Sequence, residues 1–159
     1  DIHEVASDPE VAATAGFSIS NTLEDSVKRM LEYMDDNETL ALVLKENGKM
    51  IGTISLQKRD WTMYPIDRKR KGRELGFDLN RKYWGQGLMP EAVRSVASYC
   101  FTELRYDFLT AGYFLGNHKS ARAIEKCGFE FLFEAEHENP GIWKRMIRTY
   151  IQYNPHKEI

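Results

Sequence analysis

Two glycines one residue apart, Gly85 and Gly87, constrain this chain more than any other feature, because they lie between a strand and a helix. Residues 73–79 read as the strand. From residue 90 to about 104, Val93, Val96, Ala97, Cys100, Phe101 and Leu104 recur at helical spacing and mark one apolar face. Pro90 suits the first turn of that helix, where its missing N–H is no loss. Residues 107–115 read as the next strand. Strand, glycine turn, helix and strand in succession commit the fold to a sheet with helices packed on it. Glycine also lets main-chain N–H groups converge with no Cβ in the way, and the helix N-terminus adds partial positive charge. The turn is therefore an anion site suited to phosphate. It is not the dinucleotide fingerprint, since Pro90 stands where GxGxxG places its third glycine, and no GxxxxGK[ST] phosphate loop occurs.

The rest of the chain supplies the other elements. Residues 2–6 read as a helix already under way, ended by Ser7-Asp8-Pro9. The first residue is Asp1 rather than methionine, so a missing upstream segment is expected. Residues 12–21 are small and polar and read as loop. Thr22 caps a helix to about residue 36, with Asp25 in the capping-box position and Val27, Met30, Leu31 and Met34 on one face. Residues 39–44 and 49–56 form a hairpin about Asn47-Gly48, read as a tight turn with positive φ at both central residues. Residues 117–127 form a short helix ended by Gly128; 129–134 and 142–153 are two last strands joined at Asn139-Pro140-Gly141. The expectation is one domain over 1–159, a mixed α/β sheet.

Composition removes several classes of function. A chain of 159 residues buries roughly 70% of its unfolded surface, and a 42% apolar content with 8 Phe, 8 Tyr and 3 Trp argues against disorder. The longest apolar run, 40–44, is far short of the ~20 residues of a membrane span, and no secretory signal pattern opens the chain. Cys100 and Cys127 form neither a CxxC pair nor a disulfide framework, which points to a reducing cytoplasm; both fall on apolar helix faces and read as core. A net charge of −2 gives no global drive toward nucleic acid or membrane. Locally, Lys58, Arg59, Arg68, Lys69, Arg70, Lys71 and Arg73 face only Asp60 and Asp67. That patch reads as a nucleic-acid surface or a solvated loop; with only Trp61 and Tyr64 interleaved and no RNA-binding signature, the loop is preferred. His3, His118, His137 and His156 are scattered, and no HExxH or Cys/His cluster suggests a metal.

A second segment lies thirty residues after Gly87, running from Asn117 through Ser120, Glu125-Lys126 and Gly128-Phe129. Together with Tyr83-Trp84-Gly85-Gln86-Gly87 and Glu91-Ala92, it resembles the acetyl-CoA-binding core of the GNAT N-acetyltransferases. Within that family it is similar to the branch that acetylates the N-terminal alanine of ribosomal proteins. The resemblance extends loosely to Ser7–Val11 and the Asn47-Gly48 hairpin, and so covers nearly the whole chain.

The resemblance implies a GNAT fold: a mixed, mostly antiparallel sheet with helices on both faces, splayed where strands 74–79 and 108–115 part. A first strand that normally precedes the two helices is expected to be missing from this chain. The pantetheine arm of acetyl-CoA would enter the splay. Main-chain amides of Lys82, Tyr83, Trp84, Gly85, Gln86, Gly87, Leu88 and Met89 would hold the pyrophosphate, and Asn117 would bond the pantetheine arm. Lys82 occupies the family's Gln/Arg position, with the charge of arginine but not its planar fork.

The chemistry implied is direct transfer of an acetyl group from the thioester to a primary amine. An ammonium of pKa ~10 is protonated at neutral pH, so a base is needed. Glu74 is the candidate by position, its bland reading being a strand-end carboxylate paired with Arg73 or a loop lysine. A main-chain N–H near Asp78 and Leu79 would polarise the thioester oxygen. The tyrosine that many relatives carry one residue before the Glu-Lys pair is Ile124 here, so a phenol acid at that site is excluded. Ser120 then either protonates the thiolate or only bonds the cofactor arm or the helix end. His118 reads as a surface residue, and Trp61, Tyr64 and Trp143 as pocket-lining or packing aromatics. The expected acceptor is a protein N-terminus; a small amine, or a non-catalytic acyl-CoA sensor favoured only by Ile124, are the alternatives. The expected partners are acetyl-CoA and the amine, with neither nucleic acid nor membrane, for a monomer or homodimer.

Overall fold

In the computed structural model, which describes residues 1–141 and 143–157, six strands form one sheet. They are β1 (Thr39–Val43), β2 (Met50–Gln57), β3 (Gly72–Leu79), β4 (Phe108–Phe114), β5 (Glu130–Asn139) and β6 (Trp143–Tyr153), in the spatial order β1-β2-β3-β4-β6-β5. Every pairing is antiparallel except that of β3 with β4. The parallel pair follows from the helix α4 (Leu88–Thr102) that crosses over between its strands. It is also short. Register runs from Gly72 opposite Phe108 to Leu75 opposite Ala111 and stops, so Gly76–Leu79 and Gly112–Phe114 part company. The sheet is open there, as the resemblance implied.

Strand alternation divides the two faces. Ile54 and Leu56 of β2, Leu75 and Leu79 of β3, and Leu109 and Ala111 of β4 pack beneath α4 and α5 (His118–Lys126). Val93, Ala97, Cys100 and Phe101 of α4 and Ile124 of α5 complete that core. Thr53, Ser55 and Gln57 of β2 and Glu74, Gly76 and Asp78 of β3 take the opposite face. The first helices, α1 (Ile2–Ala6), α2 (Pro9–Ala15) and α3 (Leu23–Asp36), lie toward it. Both cysteines are buried and free.

Two local expectations are corrected, and one helix face is found uncovered. Residues 12–15 are helical, not loop: Asp8 accepts from the N–H groups of Glu10 and Val11 and starts α2, and Gly16, at φ +81°, ends it. The Asn47-Gly48 turn is longer than a two-residue hairpin. Only Gly48 is left-handed, at φ +71°, and the Leu44 N–H bonds to Lys49 O while the register shifts between Leu42 and Val43. Finally, α3 has its full capping box from Thr22 and Asp25, yet its apolar stripe is uncovered, with Leu31 56% and Met34 67% exposed. The buried side of α3 is polar instead: Ser26 is fully buried and its hydroxyl lies 2.8 Å from His3 Nδ1. Periodicity shows that a stripe exists; which side is covered depends on what docks.

The basic segment between β2 and β3 is tied down. Lys58 and Arg73 meet Glu38 at 3.1 and 3.9 Å, and Arg59 meets Glu74 at 2.7 Å. Trp61 and Tyr64 stack edge-on at 4.9 Å and join Phe108, Ile66 and Ile151 in a second small core. Trp61 packs, and Tyr64 both packs and lines a large cavity on the polar face of the sheet. The Trp143 side chain and the predicted strand start at residue 142 lie outside the described residues.

Candidate active site

The β3–α4 connection forms a one-sided nest of amides. Asn80 starts a short turn over Arg81–Tyr83, its side chain accepting from the Lys82 N–H; the Tyr83 and Trp84 amides bond to Asn80 O and Arg81 O. Gly85 and Gly87 then adopt φ +77° and +78°, a conformation that side chains disfavour. Among the described residues, the amides from Gly85 to Met89 have no protein acceptor, and they precede the first turn of a 15-residue helix. The three amides before them are already bonded. The run of unbonded amides is thus shorter than the expected pyrophosphate-binding run of residues 82–89, though it sits at the same glycines.

A cleft of about 200 Å³ opens from this turn into the splay. Asp78, Leu79, Tyr83, Trp84, Gly85, Gly87, Leu88 and Met89 line it on one side, Asn117 and Ser120 on the other, with Lys119, Arg122 and Lys126 adding positive charge. Lys82 and Gln86 do not line it. The Lys82 ammonium sits 2.8 Å from Glu4, and the Gln86 amide donates to Lys82 O. Arg81 is paired likewise, with Asp8 and Glu10, while Lys119 stands 4.0 Å over the Trp84 ring and 3.6 Å from Glu10. The first two helices therefore hold the cations of the turn.

Glu4 anchors that network. Its bonds to Lys49 and Lys82 hold its pKa down at about 2. A depressed carboxylate contributes stability above the ordinary glutamate range and loses it as pH falls. Between about pH 4.5 and 2 the wild type should lose this contribution, whereas Glu4→Gln lacks it throughout. Denaturant unfolding at pH 5 and pH 3 measures the difference: the gap between the two proteins should narrow by about half at the lower pH.

On the far side of the splay lies a larger cavity of about 780 Å³, between the polar face of the sheet and helices α2 and α3. Glu74 is in its wall. Its Oε1 accepts from Arg59 Nε and Nη2 at 3.0 and 2.7 Å, and its Oε2 accepts from the Tyr64 hydroxyl at 3.3 Å. Burial, then the charge of Glu74, pushes the Tyr64 phenol up to about 12, so it stays a donor. The bland reading of Glu74 thus has a partner, but it is Arg59 rather than Arg73 or a lysine.

Asn117 and Ser120 act as one unit. Asn117 caps α5, its Oδ1 accepting from the Ser120 N–H at 3.2 Å, and its Nδ2 donates to Ser120 Oγ at 3.0 Å. With its oxygen so used as acceptor, the Ser120 hydroxyl has its own proton to give. Ile124 is buried in the core and His118 is exposed. No group of three or more metal-ligating side chains occurs among the described residues.

The two cavities share Thr14, Ala15, Phe77, Asp78 and Ser120. Asp78 is the side chain that the sequence reading valued only for its main chain. Thr53 Oγ1 donates to its Oδ2 at 2.6 Å and the Thr53 N–H to its Oδ1 at 3.2 Å, and burial pushes its pKa up. The available signal was a lone carboxylate between Phe77 and Leu79 inside a strand.

Unbonded amides before a helix, opening into a splayed parallel pair, match the layout expected of an acyl-CoA-dependent transferase. Residues 1–130 match the acetyltransferase (GNAT) domain, and the chain belongs to that family of N-acetyltransferases. It is 30% identical over 130 residues to the Probable N-acetyltransferase YjcK of Bacillus subtilis (strain 168), covering 77% of this chain and 68% of that one. Among solved structures it is similar to the ribosomal-protein-S5-alanine acetyltransferase of Vibrio fischeri, with TM-score 0.69, 22% identity, and coverage of 99% of this chain and 83% of the other. It is also similar to the spermidine N-acetyltransferase of Vibrio cholerae in complex with CoA and spermine, with TM-score 0.74, 14% identity, and coverage of 96% and 88%. At these identities the two structures bear on the fold alone.

Proposed function

We propose that this chain transfers the acetyl group of acetyl-CoA across the β3–β4 splay to a small primary amine that arrives as a cation. The observation that carries this reading is the junction of a cleft ending at the phosphate turn with a polar cavity of a size suited to a small molecule. Acetyl-CoA fits the first: the amides from Gly85 to Met89 would hold its pyrophosphate and Asn117 its pantetheine arm. It supplies an activated acyl group with a thiolate leaving group. The cavity wall carries Asp36, Glu38, Glu74, Asp78 and Glu138 against Lys58 and Arg59, so its field attracts positive charge. Spermidine acetylation by a fold neighbour is consistent with such an acceptor.

A second reading keeps the protein N-terminus expected from sequence. It is favoured by the Asn117–Ser120 unit, on which the resemblance to that branch rests, and by the likeness to an S5-alanine acetyltransferase. An equimolar mixture of spermidine, glucosamine and a peptide beginning with alanine, incubated with acetyl-CoA and analysed by mass spectrometry, separates the two. Acetylspermidine as the main product supports the small cationic amine. Acetylated peptide as the main product transfers the assignment to the second reading.

A further inference from the structure

Two carboxylates on the same face of β3 reach the acceptor cavity, and their surroundings divide their roles. Glu74 has both oxygens engaged by donors from the β2–β3 segment, Arg59 and Tyr64. It lines only the larger cavity, on the stretch where β3 and β4 are still paired, opposite Thr110. Asp78 lies four residues further along, past the last paired residue, Leu75, and borders both cavities opposite Ser120. Among the described residues, Thr53 alone bonds its carboxyl, so each oxygen keeps a lone pair for a substrate N–H.

We propose that Asp78, rather than Glu74, accepts the proton from the acceptor ammonium, with Glu74 serving to hold Arg59 and Tyr64 in the cavity wall. The inference rests on the acetyltransferase reading above. The Asp78 carboxylate takes one proton from the R–NH3⁺ group. The freed nitrogen lone pair forms the new N–C bond to the thioester carbonyl, the C–S bond breaks, and its electron pair leaves on sulfur. The second proton shed by nitrogen ends on the thiolate, relayed by the Ser120 hydroxyl, which gives its own proton and takes that one. Amide and free thiol are the products, and Asp78 returns its proton to solvent.

The surroundings of Asp78 make it a stronger base than an ordinary carboxylate. Burial raises its pKa above the usual carboxylate range, and the bonds from Thr53 and the more distant charge of Arg29 pull it partly back. From α3, Tyr33 faces it as well; Asp36 at the end of that helix and Glu38 just before β1 line the same cavity. Across the cavity stand Tyr113 of β4 and His137 and Glu138 of β5, with Lys58, Arg59 and Tyr64 on the segment after β2 and Glu74 at the cavity floor.

The pH dependence of kcat/KM with spermidine tests this. With a carboxylate base, the rate tracks the product of ionised Asp78 and protonated amine, and stays level from the Asp78 pKa to about 10. In Asp78→Asn the level region should vanish. The rate then follows the free amine alone, rising tenfold per pH unit, and at pH 7 it should lie roughly a hundredfold or more below wild type. Thr53→Val removes a bond to the charged form and should move the acid limb up by about one pH unit, a readout that a folding defect does not mimic. Glu74→Gln should raise KM and keep the level region. A level region kept in Asp78→Asn, or lost in Glu74→Gln, overturns the assignment, as does an acid limb that stays put in Thr53→Val. If wild type itself shows no amine-dependent turnover, the acetyltransferase reading fails first and this assignment fails with it.

Discussion

Replacing Gly85 and Gly87 together by valine should lower the affinity for CoA by a hundredfold or more while leaving the rest of the fold in place. Both residues hold φ near +78°, where an L side chain costs about 1–2 kcal/mol and a β-branched one more. A Cβ at either position would nevertheless meet nothing within 4 Å. The variant is therefore not excluded by clash; it relaxes by abandoning the left-handed turns. That relaxation turns the Gly85–Met89 amides away from their common focus. Each charge-assisted bond to a pyrophosphate oxygen is worth about 1.5–3 kcal/mol, so losing two gives at least about 3 kcal/mol. At 1.4 kcal/mol per decade this exceeds a hundredfold. Calorimetry with CoA measures the loss, and the thermal midpoint reports separately on folding. Unchanged affinity would remove the turn from the cofactor site.

The largest effect on stability is expected at Phe108, where truncation to alanine should cost about 3–5 kcal/mol. Its ring is fully buried at the start of β4, packed edge-on to Trp61 at 5.0 Å and to Tyr153 at 6.5 Å. It also rests on Gly72, where a Cβ would come within 2.4 Å of the ring. Phe108 is thus the peg that fastens the β2–β3 segment to the sheet. That segment carries Arg59 and Tyr64, the two partners of Glu74, so losing the peg should loosen the acceptor cavity along with the fold. Denaturant unfolding should show the stability loss, and the KM for the amine should rise more than that for acetyl-CoA. A loss below 1 kcal/mol would mean that the aromatic cluster does not fix the segment.

How much of this was legible in the sequence depends on how local each feature is. The glycine turn was legible because its signal is contiguous: two glycines, a strand before and an amphipathic helix after. The capping box of α3 and the Gly128 helix end are equally local, and both formed. The splay was accessible only through the resemblance, since periodicity cannot say where two parallel strands stop pairing. Which side of α3 is covered was not legible, because hydrophobic spacing describes the helix and not its neighbours. Residues 12–15 were read as loop because small residues give no periodic signal, although Asp8 and Pro9 supply a sound helix start. Most instructive are the two β3 carboxylates. Glu74 stood out by its position in a motif, but its engagement by Arg59 and Tyr64 depends on how a fourteen-residue connection folds back. The burial of Asp78 arises from Thr53 on β2 and from α3, segments 25 or more residues away. Such environments are made by tertiary structure, and no spacing rule announces them.

On the proposed function, acetyl transfer takes place between the two cavities that meet at Asp78 and Ser120. Thiol release from acetyl-CoA, followed in the presence of polyamines, amino sugars and short peptides with free N-termini, tests it most directly. The expected result is release that depends on the amine, is fastest with polyamines, and weakens as added salt screens the acidic cavity. Background release with every acceptor, from a protein that calorimetry shows to bind acetyl-CoA tightly, would contradict the claim and make the chain an acyl-CoA-binding protein without turnover.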